Sequence, residues 1–345
     1  MEPGAFKDRF LMEGDPHQFI EGLILAGYAV GADVAFIFLR DRYVTAERRL
    51  RRAIDEAFRK GYLGHNILGS GYSLEIHVHK SAGRYLCGES SAMLNALEGR
   101  RAIPRAKPPR SPQSGLWGLP TVVNNVETLC NVPHILEHGA QWYLDLSRAP
   151  EGKHGKDGGT KIFGASGMVK RPGAWELPMG TPLREILEQH AGGMREGLRF
   201  RALLPGGAST GFLVEDHLDV SMDFDSVQGA GSRFGTGTLI VLDDQTCPVG
   251  MLHNLEMFFA RESCGWCTPC RDGLPWTEQL LRDLELGRGT RAHLEQLEWH
   301  THFLSGEFTF CAHAPGAMMP LQTALHYFRD DFERHVKEQR CPYQA

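Results

Sequence analysis

Within the first 148 residues, hydrophobic patterns typical of helices alternate with patterns typical of strands. Apolar residues at helical spacing predict helices, and short apolar or alternating runs between them predict strands. The predicted elements are, in order, a helix over 16–30, a strand over 33–39, a helix over 45–63, a strand over 74–79 and a helix over 91–97. Strands separated by helices are typical of a layered α/β sheet, so we expect residues 1–148 to form an α/β domain.

The pattern changes after a glycine- and lysine-rich linker at 150–159. From 160 to 244, short β-type runs surround one predicted helix over 182–190, which is consistent with a β-grasp module. From 247 to 338 the amphipathic pattern is helical throughout and predicts a small four-helix bundle. The helices predicted in this last domain are 252–262, 275–286, 292–304 and 320–338.

Composition and charge exclude several classes of protein. The chain has 345 residues, of which 42% are hydrophobic and 23% charged, and this length allows two or three domains. Its net charge of −5 gives no overall basic field for nucleic acid. The apolar stretch 24–39 is interrupted by glycines and an aspartate and is too short to span a bilayer. With no secretory signal after Met1, we expect a cytoplasmic protein whose membrane association comes through partners.

Three of the eight cysteines, Cys264, Cys267 and Cys270, fall within seven residues in a Cys-x2-Cys-x2-Cys motif. Cys311 follows 41 positions after Cys270. Three closely spaced thiolates and one remote thiolate are the usual ligand set of a [4Fe–4S] cluster. Gly265 lets the loop within the motif turn tightly. We expect these four cysteines to bind the iron atoms of one cluster.

Zinc is the alternative for the same cysteines, because three histidines follow nearby. Structural zinc usually takes paired Cys-x2-Cys or Cys/His knuckles, and three cysteines at this spacing are atypical, so iron–sulfur is favoured. The nearby histidines are His300, His302 and His313. The isolated cysteines expected to be small buried hydrophobes are Cys87, Cys130 and Cys247. A cytoplasmic chain of this size is a poor candidate for a disulfide framework.

Six segments carry a resemblance to a known family that runs through essentially the whole chain. ESCGWCTPCRDG at 262–273 and FCAHAPGA at 310–317 resemble the cluster motifs of the 51 kDa flavoprotein family of NADH-quinone oxidoreductase, the respiratory complex I. The segments that resemble further motifs of this family, most of them in its flavin domain, are CGE at 87–89, LEGRR at 97–101, GLPTVVNNVET at 118–128 and EPGAFKDR at 2–9.

The resemblance implies a partial Rossmann-like flavin domain with FMN and one [4Fe–4S] cluster as cofactors and NADH as substrate. In this family NADH gives a hydride to FMN, which passes single electrons to the cluster. The implied flavin contacts are Gly88, Asn124 and Asn125. Glu89 would lie at the flavin and nucleotide site, and Tyr85 and Glu2 near the nicotinamide nucleotide. Read without the family, the segment 87–89 precedes a helix N-terminus suited to polar ligands. The two asparagines could equally form a turn or a helix cap.

The sequence departs from the family pattern in the nucleotide region. The family's glycine-rich loop comes before the Glu-Pro-Gly motif, and it is absent here because residues 2–4 follow Met1 directly. Ser90 replaces a second glutamate, Arg110 replaces an aromatic residue, and Leu119 replaces a lysine. The cluster motifs are unchanged. We therefore expect NADH binding to be weakened or lost while the cluster remains.

The expected function is electron input into NADH-quinone oxidoreductase, from NADH through FMN to the cluster and on to quinone. One alternative is a truncated, non-catalytic iron–sulfur relay or scaffold subunit. Another is the diaphorase subunit of a NAD-linked hydrogenase or formate dehydrogenase. Many of those carry extra cysteine-rich modules, whereas only Cys341 lies beyond Cys311 here, which favours complex I.

The expected partners follow from the resemblance and from the cluster, which needs a neighbour to take its electrons. They are NADH and the other peripheral-arm subunits of complex I, above all its iron–sulfur subunits. Through them the protein would lie in the cytoplasm at the inner membrane. We expect neither nucleic acid binding nor direct membrane insertion.

Overall fold

The computed structural model describes residues 2–153 and 155–344. Its backbone packing separates an N-terminal unit, residues 6–145, from a C-terminal unit formed by residues 2–5 and the chain from 146 onward. Both units contain helices and strands, so the predicted α/β class is confirmed. The limits of the three predicted domains stay predictions; they are 1–148, 160–244 and 247–338.

The N-terminal unit combines six described helices with two parallel strands. Its helices are α1 (Lys7–Gly14), α2 (Pro16–Val30), α3 (Val44–Arg59), α4 (Ser90–Leu97), α5 (Val126–His138) and α6 (Ala140–Asp145), and its strands are β1 (Val34–Arg40) and β2 (Glu75–Ser81). Short 3-10 turns lie at Ile67–Gly69, Tyr85–Gly88 and Leu116–Gly118. The two strands pair from Val34 opposite Glu75 to Arg40 opposite Ser81. A parallel pair needs a crossover connection, and α3 lies in that connection.

Residues within and next to helix α2 set its two ends. The Asp15 carboxylate accepts a hydrogen bond of 3.1 Å from the Gln18 backbone N–H, and Pro16 occupies the first helical turn. Gly31 ends the helix at φ +67°, a left-handed conformation that favours glycine. The predicted helix over 16–30 is therefore confirmed. Helix α2 packs into the hydrophobic core of the N-terminal unit, whose buried side chains include Phe19, Ile20, Leu50, Ala53 and Leu74.

The C-terminal unit contains a five-stranded mixed sheet. Its strands are β5 (Thr160–Gly167), β6 (Gly173–Pro178), β7 (Phe200–Leu204), β8 (Leu213–Val214) and β9 (Thr238–Asp243), preceded by the short pair β3 (Glu151–Gly152) and β4 (Gly155–Lys156). The strand order is β6-β5-β9-β7-β8, in which β5 and β9 are parallel and the other pairs are antiparallel. Helix α7 (Leu183–Glu185) continues into a π-helical turn, Ile186–His190, and α8 (Phe224–Gly229) follows later. Phe163, Ile186 and Leu203 are fully buried in the core between helix and sheet.

The rest of this unit is helical. Its helices are α9 (Pro248–Glu262), α10 (Leu274–Glu285), α11 (Arg291–Phe303), α12 (His313–Tyr327) and α13 (Arg329–Glu338), with a π-helical turn at Pro269–Gly273. The first three predicted helices of this region are confirmed. Among the described residues, no helix has the length and apolar character needed to cross a membrane.

The prediction of one helix over 320–338 is wrong, because the chain forms α12 and α13 there. Phe328 leaves the helical conformation at φ −122° and ψ 27°, and its buried ring contacts Phe212 with 5.3 Å between ring centroids. The acidic side chains of Asp330 and Asp331 then favour a new helix N-terminus. Pro320 lies inside α12 and not at its start, although a proline there removes one backbone hydrogen bond.

Candidate iron–sulfur centre and flavin-binding residues

The cysteine loop begins at the end of α9. Cys264 follows Ser263, which caps the helix, and Gly265 turns the chain at φ +71°. This left-handed conformation costs other residues about 1 kcal/mol or more, which explains the glycine within the motif. Cys270 lies in the π-helical turn Pro269–Gly273 that leads directly into α10. The loop therefore runs between two rigid helices.

Cys311 is brought to this loop from the start of α12. The ring of Phe310, its neighbour in sequence, contacts Trp266 edge-on with 6.5 Å between centroids. The electrostatic surroundings of the Cys270 thiol also indicate that the other three cysteines lie near it. Burial raises the pKa of the Cys270 thiol to about 12, against a lowering by the Ser263 hydroxyl, and the two other thiols of the motif and Cys311 raise it further. The other three cysteines of the predicted ligand set, Cys264, Cys267 and Cys311, therefore lie close enough to Cys270 to act on its thiol.

The donor chemistry of this group fits an iron–sulfur cluster. All eight cysteines of the chain are in the thiol form, and Cys270 is buried while the other three of the group are half-buried. The Ser263 hydroxyl lies 3.1 Å from the Cys270 sulfur, a contact of the kind that tunes a cluster. Two of the three histidines of the zinc alternative have other partners: His313 Nε2 lies 2.9 Å from the Phe259 carbonyl oxygen, and His300 Nδ1 lies 2.8 Å from the Thr277 hydroxyl.

Glu89 and Gly88 lie between β2 and α4, as the sequence predicts. The Glu89 carboxylate caps α4 by accepting a 2.8 Å hydrogen bond from the Ala92 N–H, and Lys107 Nζ lies 2.9 Å from its other oxygen. Burial alone would raise the pKa of Glu89, but hydrogen bonds from Ser91 and Lys107 hold it below its usual value. Gly88 is exposed, and apart from Gly88 and its two neighbours in the chain, no described atom lies within 4 Å of where its Cβ would stand. This open backbone can admit a ligand.

The two asparagines have different surroundings. Asn125 caps α5, since its side-chain oxygen accepts from the Glu127 N–H at 3.1 Å and from Lys7 Nζ at 3.0 Å. Its amide nitrogen donates to Asp8 at 3.0 Å. Asn124 is exposed. The helix-cap interpretation is therefore correct for Asn125, which has most of its hydrogen-bonding capacity engaged within the protein.

Lys7 is a residue that the sequence argument missed. Its ammonium group is buried and lies 2.9 Å from Glu127 and 3.0 Å from Asn125. Burial would lower the pKa of Lys7, but Asp8 and Glu127 hold it above its usual value. The only sequence signal was its position inside the segment 2–9.

The remaining predicted residues lie in separate places. Tyr85 is half-buried in the 3-10 turn Tyr85–Gly88 of the N-terminal unit. Glu2 belongs to the C-terminal unit, where its carboxylate accepts a 2.7 Å hydrogen bond from the Ser209 N–H. The adjacent Pro3 carbonyl accepts a hydrogen bond of 3.1 Å from the Ala208 N–H. Residues 2–5 therefore contact the turn that precedes β8. Of the isolated cysteines, Cys87 and Cys130 are buried as predicted, but Cys247 is half-buried and hydrogen-bonded, so that prediction is wrong for it.

Four sulfur donors in the C-terminal unit, and an exposed glycine turn in the α/β fold of the N-terminal unit, are typical of the class of iron–sulfur oxidoreductase subunits. Family models agree segment by segment. Residues 1–134 match the Nuo51 FMN-binding domain, residues 163–213 the SLBB domain, and residues 250–335 the NADH-ubiquinone oxidoreductase-F iron-sulfur binding region.

Curated relatives give the particular family. The chain is 56% identical over 338 residues to the F subunit of NADH-quinone oxidoreductase of Salmonella typhimurium, and it is 56% identical to that of Escherichia coli K12. Each alignment covers 98% of this chain and 75% of the relative. The chain belongs to the family of the F subunit of NADH-quinone oxidoreductase.

Solved structures show the same fold. A crystal structure of NAD+-reducing [NiFe]-hydrogenase in the H2-reduced state superimposes with a TM-score of 0.85 at 32% identity. The match covers 99% of this chain but 55% of the hydrogenase chain, so the protein spans about half the length of that solved relative. The air-oxidised state of the hydrogenase gives a TM-score of 0.84.

Proposed function

We propose that the protein is the electron-input subunit of a NADH-quinone oxidoreductase, an enzyme subunit with FMN and one [4Fe–4S] cluster as cofactors and NADH as substrate. The observation that carries this proposal is the spatial group of four thiols in the segment that matches the iron-sulfur binding region. When bound, FMN supplies the conversion of a two-electron donor into one-electron steps.

The four cysteines Cys264, Cys267, Cys270 and Cys311 are proposed as the iron ligands. Two helices fix the loop on either side, and the contact between Trp266 and Phe310 holds the remote ligand against it. A ligand set that is fixed before the cluster binds loses little conformational freedom on assembly. Three of the four cysteines are only half-buried, so the proposed centre lies near the protein surface, where electrons can leave towards a partner.

On the flavin side, Gly88 and Asn124 are proposed as direct contacts, because both are exposed and the backbone at Gly88 is open. Asn125 is proposed to act through its cap on α5, where Lys7 orients its amide. Glu89 remains a carboxylate next to Lys107 and would face the nucleotide. Tyr85 and Glu2 are proposed to lie near the nicotinamide nucleotide, as the family resemblance implies.

The fold of each of the three predicted domains is part of the same proposal. The sheet order β6-β5-β9-β7-β8, with a parallel central pair and one crossing helix, supports a β-grasp module within 160–244. The parallel pair β1 and β2 with its α3 crossover supports a partial Rossmann-like flavin domain within 1–148. The helices α9 to α13 support a helical cluster domain within 247–338, with five helices in place of the predicted four.

Partners are proposed from the surface beside the cysteines. Five exposed aromatic side chains of the helical region are together called the aromatic surface: Trp266, Trp299, Phe303, Phe308 and Phe310. Trp299 stacks on Phe303 at 5.4 Å, and Phe303 contacts Phe308 at 5.5 Å. Exposed aromatic residues are enriched at protein interfaces. The aromatic surface is proposed to bind the iron–sulfur subunit that accepts the electrons, which would hold the protein in the cytoplasm at the membrane-bound complex.

The structural likeness to a NAD+-reducing hydrogenase supports one alternative, a diaphorase subunit that serves a different acceptor. The partner distinguishes the two functions. A chain that co-purifies with quinone-reducing subunits is a complex I subunit, whereas one that co-purifies with a metal-containing hydrogenase is a diaphorase.

The proposal is tested by two variants of the full chain with opposite effects. Cys264→Ala should lose most of the cluster iron and keep FMN, because it removes one of four ligands. Gly88→Leu should lose most of the FMN and keep iron, because its side chain fills the open space at Gly88. Iron and flavin contents are measured after anaerobic reconstitution, with Cys130→Ala as the control for removal of a buried thiol.

Electron paramagnetic resonance (EPR) then distinguishes electron input from the relay alternative. A cluster signal after NADH, together with NADH-dependent ferricyanide reduction, supports electron input. A cluster signal with dithionite but none with NADH, and no bound flavin, would establish the relay alternative.

A further inference from the structure

A second group of metal-binding side chains lies apart from the proposed iron ligands, within the C-terminal unit. Its members are Cys247, Glu285, His335 and Cys341. Each offers one ligand atom, and the four atoms lie within 4.8 Å of one another. Cys247 caps the start of α9, Glu285 is the last residue of α10, and His335 lies on α13. Cys341 belongs to the tail after α13, so the group joins segments that are distant in sequence.

The distances between these atoms approach those of a tetrahedral metal site. Cys247 Sγ lies 2.9 Å from Glu285 Oε1 and 3.4 Å from His335 Nε2. His335 Nε2 lies 2.9 Å from the same glutamate oxygen. A tetrahedron with metal–ligand bonds of about 2.0 to 2.3 Å has edges of roughly 3.3 to 3.8 Å. A small outward movement of each side chain would therefore create the space for an ion.

The surroundings prepare two of the ligands for a cation. His335 Nδ1 lies 2.6 Å from the Asp331 carbonyl oxygen, which fixes the proton on Nδ1 and leaves Nε2 to bind a metal. The Gly250 N–H donates a hydrogen bond of 3.2 Å to Cys247 Sγ at the N-terminus of α9. Burial and the Glu285 carboxylate raise the pKa of the Cys247 thiol, so a bound cation has to displace its proton. His335 is 0% exposed and Cys341 3% exposed, so the site is closed to water on that side.

We propose that Cys247, Glu285, His335 and Cys341 bind one Zn²⁺ ion. Two thiolates, one imidazole and one carboxylate suit a borderline-soft ion that accepts tetrahedral geometry. Because all four positions are filled by protein, the site is structural: it ties the tail and α13 to the ends of α9 and α10. Binding releases the thiol protons to solvent and involves no change of oxidation state.

A disulfide between Cys247 and Cys341 is the competing use of the same thiols. Two observations favour the metal. Glu285 and His335 both lie within 3.4 Å of Cys247, whereas a disulfide needs neither of them. His335 also has its second nitrogen oriented by a backbone carbonyl, as zinc-binding histidines usually do.

The test uses the full chain with its cluster assembled, incubated with Zn²⁺ and then freed of loosely bound ions. Metal analysis should give about one zinc beside about four irons per chain. Zinc X-ray absorption should show two sulfur atoms at about 2.3 Å and two nitrogen or oxygen atoms at about 2.0 Å. A shell of four sulfur atoms would place the zinc in the iron ligand group and overturn the proposal.

Variants assign the metal to its residues. Cys341→Ser and His335→Gln should each lower the zinc content at least fivefold without changing the iron content. Cys264→Ala should lose iron and keep zinc, and Cys130→Ala should keep both. Less than a tenth of a zinc per cluster-loaded chain, or a Cys247–Cys341 disulfide in its peptide map, would overturn the proposal. If the variants do not fold, the X-ray absorption of the unmodified chain decides.

Discussion

Glu256 shows how one side chain can set the pH dependence of folding. It lies in α9, is 0% exposed, and has no hydrogen-bond partner among the described residues. Burial raises its pKa well above the usual value, because the charged form cannot be solvated. The folded protein therefore keeps this proton at pH values where the unfolded chain has lost it. Its contribution to stability is present below the unfolded pKa and is lost as pH rises through the folded pKa.

Replacing Glu256 by glutamine should remove this loss of folding stability at higher pH, because glutamine has nearly the same shape and does not ionise. We expect the melting temperature of Glu256→Gln, relative to the unmodified protein, to increase steadily from pH 5 to pH 8. Differential scanning fluorimetry at several pH values measures the difference. Glu295→Gln, at an exposed position on α11, is the control and should give no trend. A difference that does not change with pH would show that Glu256 is charged in the folded state.

At the scale of elements, helix ends were accurately predictable where their chemistry is local. The Asp15 cap, Pro16 and Gly31 lie within the sequence of α2 itself, and the predicted limits agree with the structure. The limits of α12 and α13 are different, because the burial of Phe328 against Phe212 decides where one helix ends. Phe212 lies more than a hundred residues away in the chain, so no local pattern indicates the break.

The cap of α2 makes a testable prediction. Asp15→Ala should destabilise the first turn of α2 by about 1 kcal/mol, because the Gln18 N–H loses its hydrogen-bond partner. Hydrogen exchange measures this as faster exchange at the first amides of α2, by about fivefold. Asp15→Asn keeps a side-chain oxygen and should exchange at nearly the original rate. Equal protection in both variants and the unmodified protein would contradict the capping role.

At the scale of the whole molecule, the proposed docking of an iron–sulfur subunit on the aromatic surface can be tested. Trp299 is 66% exposed, and its ring stacks on that of Phe303. Exposed aromatic residues held in this way are typical anchors of protein interfaces. Trp299→Ser should weaken assembly with the accepting iron–sulfur subunit at least tenfold while iron content stays unchanged. The fraction of the chain that sediments with the assembled complex measures this effect. Tyr62→Ser removes an aromatic ring that is 50% exposed in the N-terminal unit and is the matched control. Equal assembly of both variants would exclude the aromatic surface as the docking site.

The sequence by itself determined the features that depend on short stretches of chain. The α/β class, the helix over 16–30 and three of the candidate iron ligands follow from periodicity and spacing, because a Cys-x2-Cys-x2-Cys motif keeps its three cysteines within seven residues. The tertiary structure alone decided the features that join distant segments. Cys247 is isolated in the sequence, and its sulfur meets Glu285 and His335 only because the start of α9, the end of α10 and helix α13 converge. Lys7 and Asn125 meet in the same way across 118 positions. Contacts of this kind depend on packing geometry, which hydrophobic pattern and residue spacing do not encode.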